Sequence, residues 1–271
     1  MLHCIGYACA DGGCHPCSEK GPTAVKELWK NKNNTKWLEH ITPQKNLSKT
    51  ARITDCCTQL AQEIKKLRQR DDFFCVIGGD HSSAIGTWSG AKAAKDESLS
   101  LIWIDAHMDA HTFDSSHSKN IHGMPVASLL GHGDKNLVNL LLKKHKLLPQ
   151  NLYLVGIRSY EDEERELLQS LKSGVFYAEE VKQKPLIETL DNICQEAVKS
   201  TNTFGISLDL DVFDPSFATN VLSVEEWLKD LFPDKTKVVE FPDKTKVVEI
   251  TYGESPDSSC SAQCFIHDQW F

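Results

Sequence analysis

Short apolar runs alternate with longer amphipathic stretches along most of this chain. The apolar runs are typical of strands buried on both faces of a sheet, and they occupy residues 2–7, 73–77, 99–104, 152–157, 175–177 and 204–208. Helical spacing with a charged outer face is found at residues 52–70, 136–146, 161–172 and 185–199. This alternation predicts an α/β fold in which helices cover both faces of a mainly parallel sheet.

The composition narrows the class of partner. Of 271 residues, 40% are hydrophobic and 25% are charged, which suits a single domain, 1–271, with a substantial core. A net charge of -8 at pH 7 argues against nucleic-acid binding, because phosphate recognition requires clustered Lys and Arg. No apolar run approaches the roughly 20 residues that span a bilayer, and no signal-peptide pattern is found. We therefore expect a cytoplasmic protein that binds small molecules or cations, and neither nucleic acid nor membrane.

The ten cysteines are more numerous than we would expect for such a chain. Cys14 and Cys17 form half of a zinc-binding pattern, with Cys9 as a third candidate ligand, but a second half at suitable spacing is missing. Without a signal peptide, reduced thiols are the default expectation. Zinc is kept as the alternative.

Polar residues follow four of the predicted strands, at the point where each strand ends. They are GGDHS at 78–82, DAHMD at 105–109, RS at 158–159 and DLD at 209–211. Because the carboxyl ends of parallel strands meet at one edge of the sheet, we expect these side chains to gather there.

Six of these residues have the chemistry and spacing of metal ligands: His81, Asp105, His107, Asp109, Asp209 and Asp211. In an extended chain, side chains two residues apart point the same way, so the residues at 105, 107 and 109 converge, as do those at 209 and 211. Without a cation, the gathered carboxylates and imidazoles would repel one another or remain unfavourably desolvated. Four Asp and two His suit manganese or a similar ion, with shared carboxylates bridging two ions. Any one of them alone would more often be a helix cap or a structural residue, but the joint pattern favours a metal site.

The same segments resemble the signatures of the ureohydrolase family of arginases, agmatinases and formiminoglutamases. The resemblance extends from Ile5 to about Ser216 and is carried by residues 79–82, 105–111 and 207–215. It implies a three-layer α-β-α fold around an eight-stranded parallel sheet, two Mn²⁺ ions, and hydrolysis of a guanidino group to release urea. It also implies that Asp105 and Asp209 bridge the ions, with His81 and Asp109 on one ion and His107 and Asp211 on the other.

The resemblance also implies catalytic roles. Two-metal chemistry provides a bridging hydroxide that attacks the guanidinium carbon. Asp109 would accept a hydrogen bond from it and pass a proton toward the leaving amine. His122 aligns with a family histidine that acts as proton shuttle or acid. The alternative for His122 is a structural histidine at a helix start.

In the residues that would contact the rest of the substrate, this sequence resembles the arginase branch of the family more than the others. Ser118 and Asn120 stand where arginases contact the α-carboxylate, and His111 stands where arginases often use Asn. Glu161 and Glu164 match acids that bind the α-amino group, although an acid-rich first helical turn is favourable whatever the substrate. L-Arginine hydrolysis to ornithine and urea is therefore predicted, with agmatinase or formiminoglutamase activity as the alternative. The family often forms trimers or hexamers, so a homo-oligomer is expected.

The resemblance weakens in the atypical region 216–271. The family's glycine-rich pocket loop after the Asp-Pro pair is missing, and residues 232–240 are repeated without change as 241–249. Only one copy can form the last strand, and we hypothesise that it is the second, which leads into Ile250. Glu254 is the nearest match to the family's guanidinium-binding Glu, with Glu249 as an alternative.

These departures keep two further hypotheses open. One is a metal-binding but catalytically impaired family member. The other is a mononuclear zinc amidohydrolase or deacetylase, against which the six ligands argue.

Overall fold

An eight-stranded parallel sheet forms the centre of the computed structural model, which describes residues 1–13, 16–29, 34–183, 186–201, 203–212 and 245–251. Its strands are β1 (Leu2–Tyr7), β2 (Thr35–Trp37), β3 (Phe73–Gly78), β4 (Ser100–Ile104), β5 (Leu152–Ile157), β6 (Gly174–Tyr177), β7 (Phe204–Asp209) and β8 (Thr245–Thr251). Their order is β2-β1-β3-β8-β7-β4-β5-β6, and every neighbouring pair is parallel. The predicted parallel α/β sheet is therefore confirmed.

The helices lie on both faces of this sheet. They are α1 (Gly21–Trp29), α2 (Lys49–Gln69), α3 (Ser83–Ala94), α4 (Pro125–Leu130), α5 (Lys135–Val138), α6 (Asp162–Leu171), α7 (Ala178–Val181) and α8 (Leu186–Ser200). Ile5 and Trp103 face the apolar cluster that contains residues of α2 and α3. Their strand neighbours Cys4 and Ile102 face the opposite clusters, with residues of α1 and α8. Alternating strand residues thus fill two layers of core, which gives the expected three-layer arrangement.

The predicted helices at 52–70, 161–172 and 185–199 correspond to α2, α6 and α8. The helix predicted at 136–146 is wrong beyond α5. Leu141 adopts a left-handed backbone conformation (φ 57°), which an α-helix does not accommodate. The N–H groups of Lys146 and Leu147 then donate to the carbonyl of Leu129, at 2.8 and 3.1 Å. The segment after α5 therefore folds back on α4 instead of continuing as a helix.

Helix α3 was not predicted from the sequence, because it lacks a polar face. All residues from Ser83 to Ala91 are buried, so no amphipathic period marks the helix. It crosses α2 closely at a glycine. A Cβ on Gly90 would lie 2.4 Å from the carbonyl oxygen of Ala61.

Strand β8 belongs to the second copy of the duplicated sequence, as hypothesised. It pairs with β3 on one side and β7 on the other, so it joins the two parts of the sheet. The first copy, residues 232–240, and the segment that replaces the family's pocket loop lie outside the described residues. Among the helices that the structure describes, none is long and apolar enough to cross a membrane.

The cysteines depart from expectation at one position. Cys17 is disulfide-bonded, so the prediction of reduced thiols is wrong there. Cys9 is buried and free. The cation-binding groups found among the described residues contain only His and Asp.

Candidate metal centre

The six predicted ligands gather at the carboxyl edge of the sheet. His81 follows β3, Asp105 follows β4, and Asp209 is the last residue of β7. The strand order brings these ends close together, because only β8 separates β3 from β7 and β4 pairs with β7 directly. Asp109 is buried like these three residues, whereas His107 and Asp211 are partly exposed.

His81 lies at the centre of the first group of ligands. Its Nδ1 is 3.1 Å from Asp105 Oδ2, 2.9 Å from Asp109 Oδ2 and 3.1 Å from Asp209 Oδ2. None of these oxygens is aligned for a proper hydrogen bond with Nδ1, which is fully buried. One imidazole nitrogen and three carboxylate oxygens converging in this way form the donor set of a divalent cation.

The second group shares Asp105 with the first. His107 Nδ1 lies 2.8 Å from Asp211 Oδ2 and 3.6 Å from Asp105 Oδ1. Asp105 therefore directs Oδ2 toward His81 and Oδ1 toward His107. The ligand atoms of His81, Asp105 and Asp209, and those of Asp105, His107 and Asp211, form two sets close enough to hold a cation each. A carboxylate shared between two such sets has the arrangement of a bridging ligand.

The electrostatics favour a cation in the same place. Burial and the nearby Asp105 raise the pKa of Asp109 to about 6, and burial with Asp209 and Asp105 raises the pKa of Asp211 well above its ordinary value. Burial opposes protonation of His107, but Asp105 and Asp211 prevail and raise its pKa to about 12. The pKa of His81 is likewise raised well above its ordinary value, against the effect of burial. The carboxylates therefore require positive charge, which a divalent cation supplies.

Two further residues support the ligands and were missed from the sequence. The ring of Trp103 stacks on His81 at 4.1 Å between centroids, and its Nε1 donates to Asp105 Oδ2 at 2.9 Å. Ser207 Oγ lies 2.9 Å from His81 Nε2. Trp103 and Ser207 each precede an Asp ligand by two residues, so their side chains point the same way as the ligands, but alternation alone does not distinguish them from ordinary core residues.

Asp80 is not among the grouped ligands. Its carboxylate accepts the N–H groups of Gly12 and Ser82, both at 2.8 Å. The N–H of His122 donates to the carbonyl of Gly12 at 3.1 Å. Burial raises the pKa of Asp80, and the neighbouring His122 partly offsets this. His122 thus lies next to the loop that carries His81.

The structure brings together three of the predicted substrate residues. His111 Nε2 lies 3.0 Å from Glu161 Oε2 and 3.4 Å from Glu164 Oε2. Glu164 is buried, and it accepts the N–H groups of Ala110 at 2.9 Å and Glu161 at 3.0 Å. Glu164 therefore fixes the backbone next to Asp109, which adopts a left-handed conformation (φ 49°). The Glu161 side chain is about half exposed and more accessible to a ligand.

The remaining predicted residues lie in the loop before His122 and in β8, except for Glu254. Ser118 and Asn120 are in the loop before His122, where Ser118 Oγ accepts the N–H of Asn120 at 3.3 Å. The backbone of Glu249 is in β8, opposite Ser207 of β7. Glu254 lies outside the described residues.

The fold and the centre together define a class of protein, a parallel α/β protein with a carboxylate–histidine cation site at the carboxyl edge of its sheet. The chain belongs to the arginase family, whose model matches residues 2–225. An arginase of Bacillus subtilis (strain 168) is 39% identical over 167 residues, which cover 60% of this chain and 54% of that protein. An arginase of Bacillus caldovelox is 35% identical over 169 residues, or 62% and 56% of the two chains. The chain thus spans little more than half the length of these relatives.

A solved structure shows the same similarity across more of the chain. The crystal structure of arginase from Bacillus subtilis superposes with a TM-score of 0.76 and 27% identity, and the match covers 92% of this chain and 89% of that one. The similarity therefore extends to the overall fold.

Proposed function

We propose that the protein hydrolyses a guanidino substrate, L-arginine, to ornithine and urea at a centre of two Mn²⁺ ions. The observation that carries this proposal is the position of Asp105. Its two carboxylate oxygens face separate histidines, His81 and His107, and each histidine has a further Asp beside it. That donor set suits two hard cations that share a carboxylate. The named relatives, which are arginases, support the choice of substrate.

The ligand roles are those that the resemblance to the family implies. Asp105 and Asp209 would bridge the ions, with His81 and Asp109 on one and His107 and Asp211 on the other. When bound, the ions lower the pKa of a water molecule so that it can attack near neutral pH.

The chain's own residues would then direct the proton. Asp109 accepts a hydrogen bond from the attacking oxygen and passes that proton to the leaving amine as its carbon–nitrogen bond breaks. His122 exchanges protons between this site and solvent. Glu254 would bind the guanidinium. At the other end of the substrate, Glu161 would bind the α-amino group with help from Glu164, and Ser118, Asn120 and His111 would contact the carboxylate.

Urea release under saturating Mn²⁺ tests the proposal. L-Arginine and agmatine are assayed in parallel for urea, and formiminoglutamate is assayed for formamide, because its hydrolysis releases no urea. Metal content is measured on the same sample, and faster turnover of arginine than of the other two substrates is expected. An Asp105→Asn variant is the control, because it removes the shared negative charge and should lose both metal and turnover. Absence of urea with every substrate would contradict the proposal.

A second candidate is a catalytically impaired member of the family, favoured by the missing pocket loop. It predicts two bound ions per chain without turnover. A zinc enzyme with one ion is disfavoured by the two ligand groups, and a measured stoichiometry near one zinc would restore it.

We also infer a homo-oligomer, a trimer or hexamer, from the resemblance to the family, and we keep the cytoplasmic location as an expectation from the sequence. Light scattering coupled to size-exclusion chromatography measures the mass directly. A mass equal to one chain, 30.4 kDa, would contradict this inference.

A further inference from the structure

Arg158 connects three strand ends at the edge where the ligands gather. It follows β5, and its N–H donates to the carbonyl of Ala106 at 2.9 Å, as does that of Ser159. Its guanidinium reaches across to the turn after β7. There Nη1 donates to the carbonyl of Val212 at 2.6 Å, and Nη2 donates to that of Asp211 at 2.5 Å.

Asp211 itself makes three further contacts with residues of the ligand cluster and its loops. Its Oδ1 accepts the N–H of Ala106 at 3.3 Å, its Oδ2 lies 2.8 Å from His107, and its own N–H donates to Asp209 Oδ1 at 3.2 Å. The turn that carries it, Leu210–Val212, is a single turn of 3₁₀ helix. Arg158 holds the carbonyls of two of its three residues, so it adds a backbone restraint to the side-chain contacts of Asp211.

We propose that Arg158 is a positioning residue for the ion held by Asp105, His107 and Asp211. The planar guanidinium suits this role, because its fixed fork reaches two carbonyls in one orientation. Arg158 acts through the backbone of Asp211, whose carbonyl accepts from its guanidinium. This proposal rests on the proposed two-ion centre.

Charge and position predict opposite effects of removing Arg158. A guanidinium near a cation site repels the cation, so charge alone predicts that Arg158→Gln binds metal more tightly. Loss of the carbonyl contacts releases Asp211 and predicts weaker binding. The sign of the change therefore separates the two effects.

The test is a Mn²⁺ titration of the metal-stripped full chain by calorimetry, with electron paramagnetic resonance of the free ion as a second measure. The variants are Arg158→Gln, Arg158→Lys and Arg165→Gln. Arg165 is a matched control, because it lies on α6 and pairs with Asp162 at 2.7 Å. It also lies over the ring of Tyr160, with no contact to the ligands.

In Arg158→Gln, we expect one of two Mn²⁺ ions to bind about 10- to 100-fold more weakly, while the other keeps its affinity. Arg158→Lys keeps the charge but not the two-pronged contact, so it should weaken the same ion. Arg165→Gln should match the wild type.

Tighter binding, equal weakening of both ions, or wild-type affinity in both Arg158 variants would overturn the proposal. If Arg158→Gln does not fold, by circular dichroism, Arg158→Lys decides. A wild type that binds a single ion also overturns it. If the wild type binds two ions but releases no urea, only the proposal of arginine hydrolysis is contradicted. The titration then still tests the role of Arg158.

Discussion

At the scale of single residues, Trp103 supports two ligands at once. Its ring packs on His81, and its indole N–H fixes one oxygen of Asp105. The other oxygen of Asp105 is fixed by the N–H of His107, at 2.7 Å. The positions of both oxygens of the shared carboxylate are therefore set by the protein before any cation binds.

Replacing Trp103 by Phe tests this arrangement. The variant keeps an aromatic ring against His81 but loses the hydrogen bond to Asp105, so affinity for Mn²⁺ should fall about 10- to 100-fold. Calorimetric titration measures the change. Trp37→Phe is the control, because the buried Trp37 Nε1 has no hydrogen-bond partner among the described residues and Trp37 lies on β2, the edge strand of the sheet. Unchanged affinity in a folded Trp103→Phe protein would contradict the prediction.

A second residue-scale prediction concerns pH. Arg52 donates to both carboxylate oxygens of Asp11 at 2.7 Å and holds the pKa of Asp11 below its ordinary value. A carboxyl group with a lowered folded-state pKa stabilises the fold above its unfolded-state pKa, and this stabilisation is lost as pH falls through the folded-state pKa.

Asp11→Asn should therefore lower the free energy of unfolding at pH 7 by about 0.5 to 1 kcal/mol, since the pair is partly exposed. The difference from the wild type should shrink as the pH falls below about 4, where the Asp11 carboxyl becomes protonated. Urea denaturation at a series of pH values measures both. A difference that grows toward acid would show that the pair does not act through charge.

The residue scale also shows what the sequence could predict. Five of the six ligands were predictable because they repeat at every second position after apolar strands, and His81 because it follows a third such strand. Trp103 and Ser207 were not, because a tryptophan or serine within a buried strand is ordinary core until the ring or hydroxyl is seen to touch a ligand. The pairing of His111 with Glu161 and Glu164 likewise depends on how far apart β4 and α6 lie in space.

At the scale of elements, the crossing of α2 and α3 depends on the absence of side chains. Gly90→Ala gains about 1 kcal/mol of helix propensity but places a Cβ against backbone atoms of Ala61, at 2.4 and 2.8 Å. Overpacking of a buried contact costs about 1 to 3 kcal/mol, so the variant should be less stable. Urea denaturation measures the difference.

Gly123→Ala is the matched control, because a Cβ there would meet no atom of the described residues within 4 Å. Its stability should stay within about 0.5 kcal/mol of the wild type. If Gly90→Ala were as stable as this control, the two helices would have room to separate.

Hydrophobic periodicity predicted the helices that have a solvent-facing side, and it missed the helix that is buried on every side. Helices α2, α6 and α8 carry charged faces and were found. Helix α3 is buried on every side, so its sequence gave no helical period. Residues 136–146 carried a helical period but fold back on α4, because hydrogen bonding to Leu129 replaces the helix.

At the scale of the whole molecule, the order of the strands was beyond prediction from local patterns. Pairing between β3 and β8 connects residues such as Val76 and Glu249, which are remote in sequence. Only tertiary packing selects that pairing. The nine-residue duplication also offers two identical segments for the last strand, and local sequence does not distinguish them.

The duplication leads to a prediction about the whole chain. Because the two copies are identical, deleting residues 232–240 or residues 241–249 yields the same sequence, with one copy still leading into Ile250. We expect this shortened chain to keep its fold and its affinity for Mn²⁺, measured by circular dichroism and calorimetry. A longer deletion of residues 232–251 removes both copies and β8 together, and it should abolish both the fold and the affinity for Mn²⁺. Loss of metal binding in the single-copy chain would mean that both copies are needed.

The position of β8 also bears on biosynthesis. His81 belongs to the β2-β1-β3 side of the sheet, whereas Asp105 and Asp209 belong to the β7-β4-β5-β6 side, and β8 is the strand that unites them. On the ribosome, the seven strands β1 to β7 emerge before β8 and could pair within each side, but the two sides come into register only after residues 245–251 have emerged. Since domains fold as their chain leaves the ribosome, capture of the cation by ligands from both sides would wait until β8 has emerged.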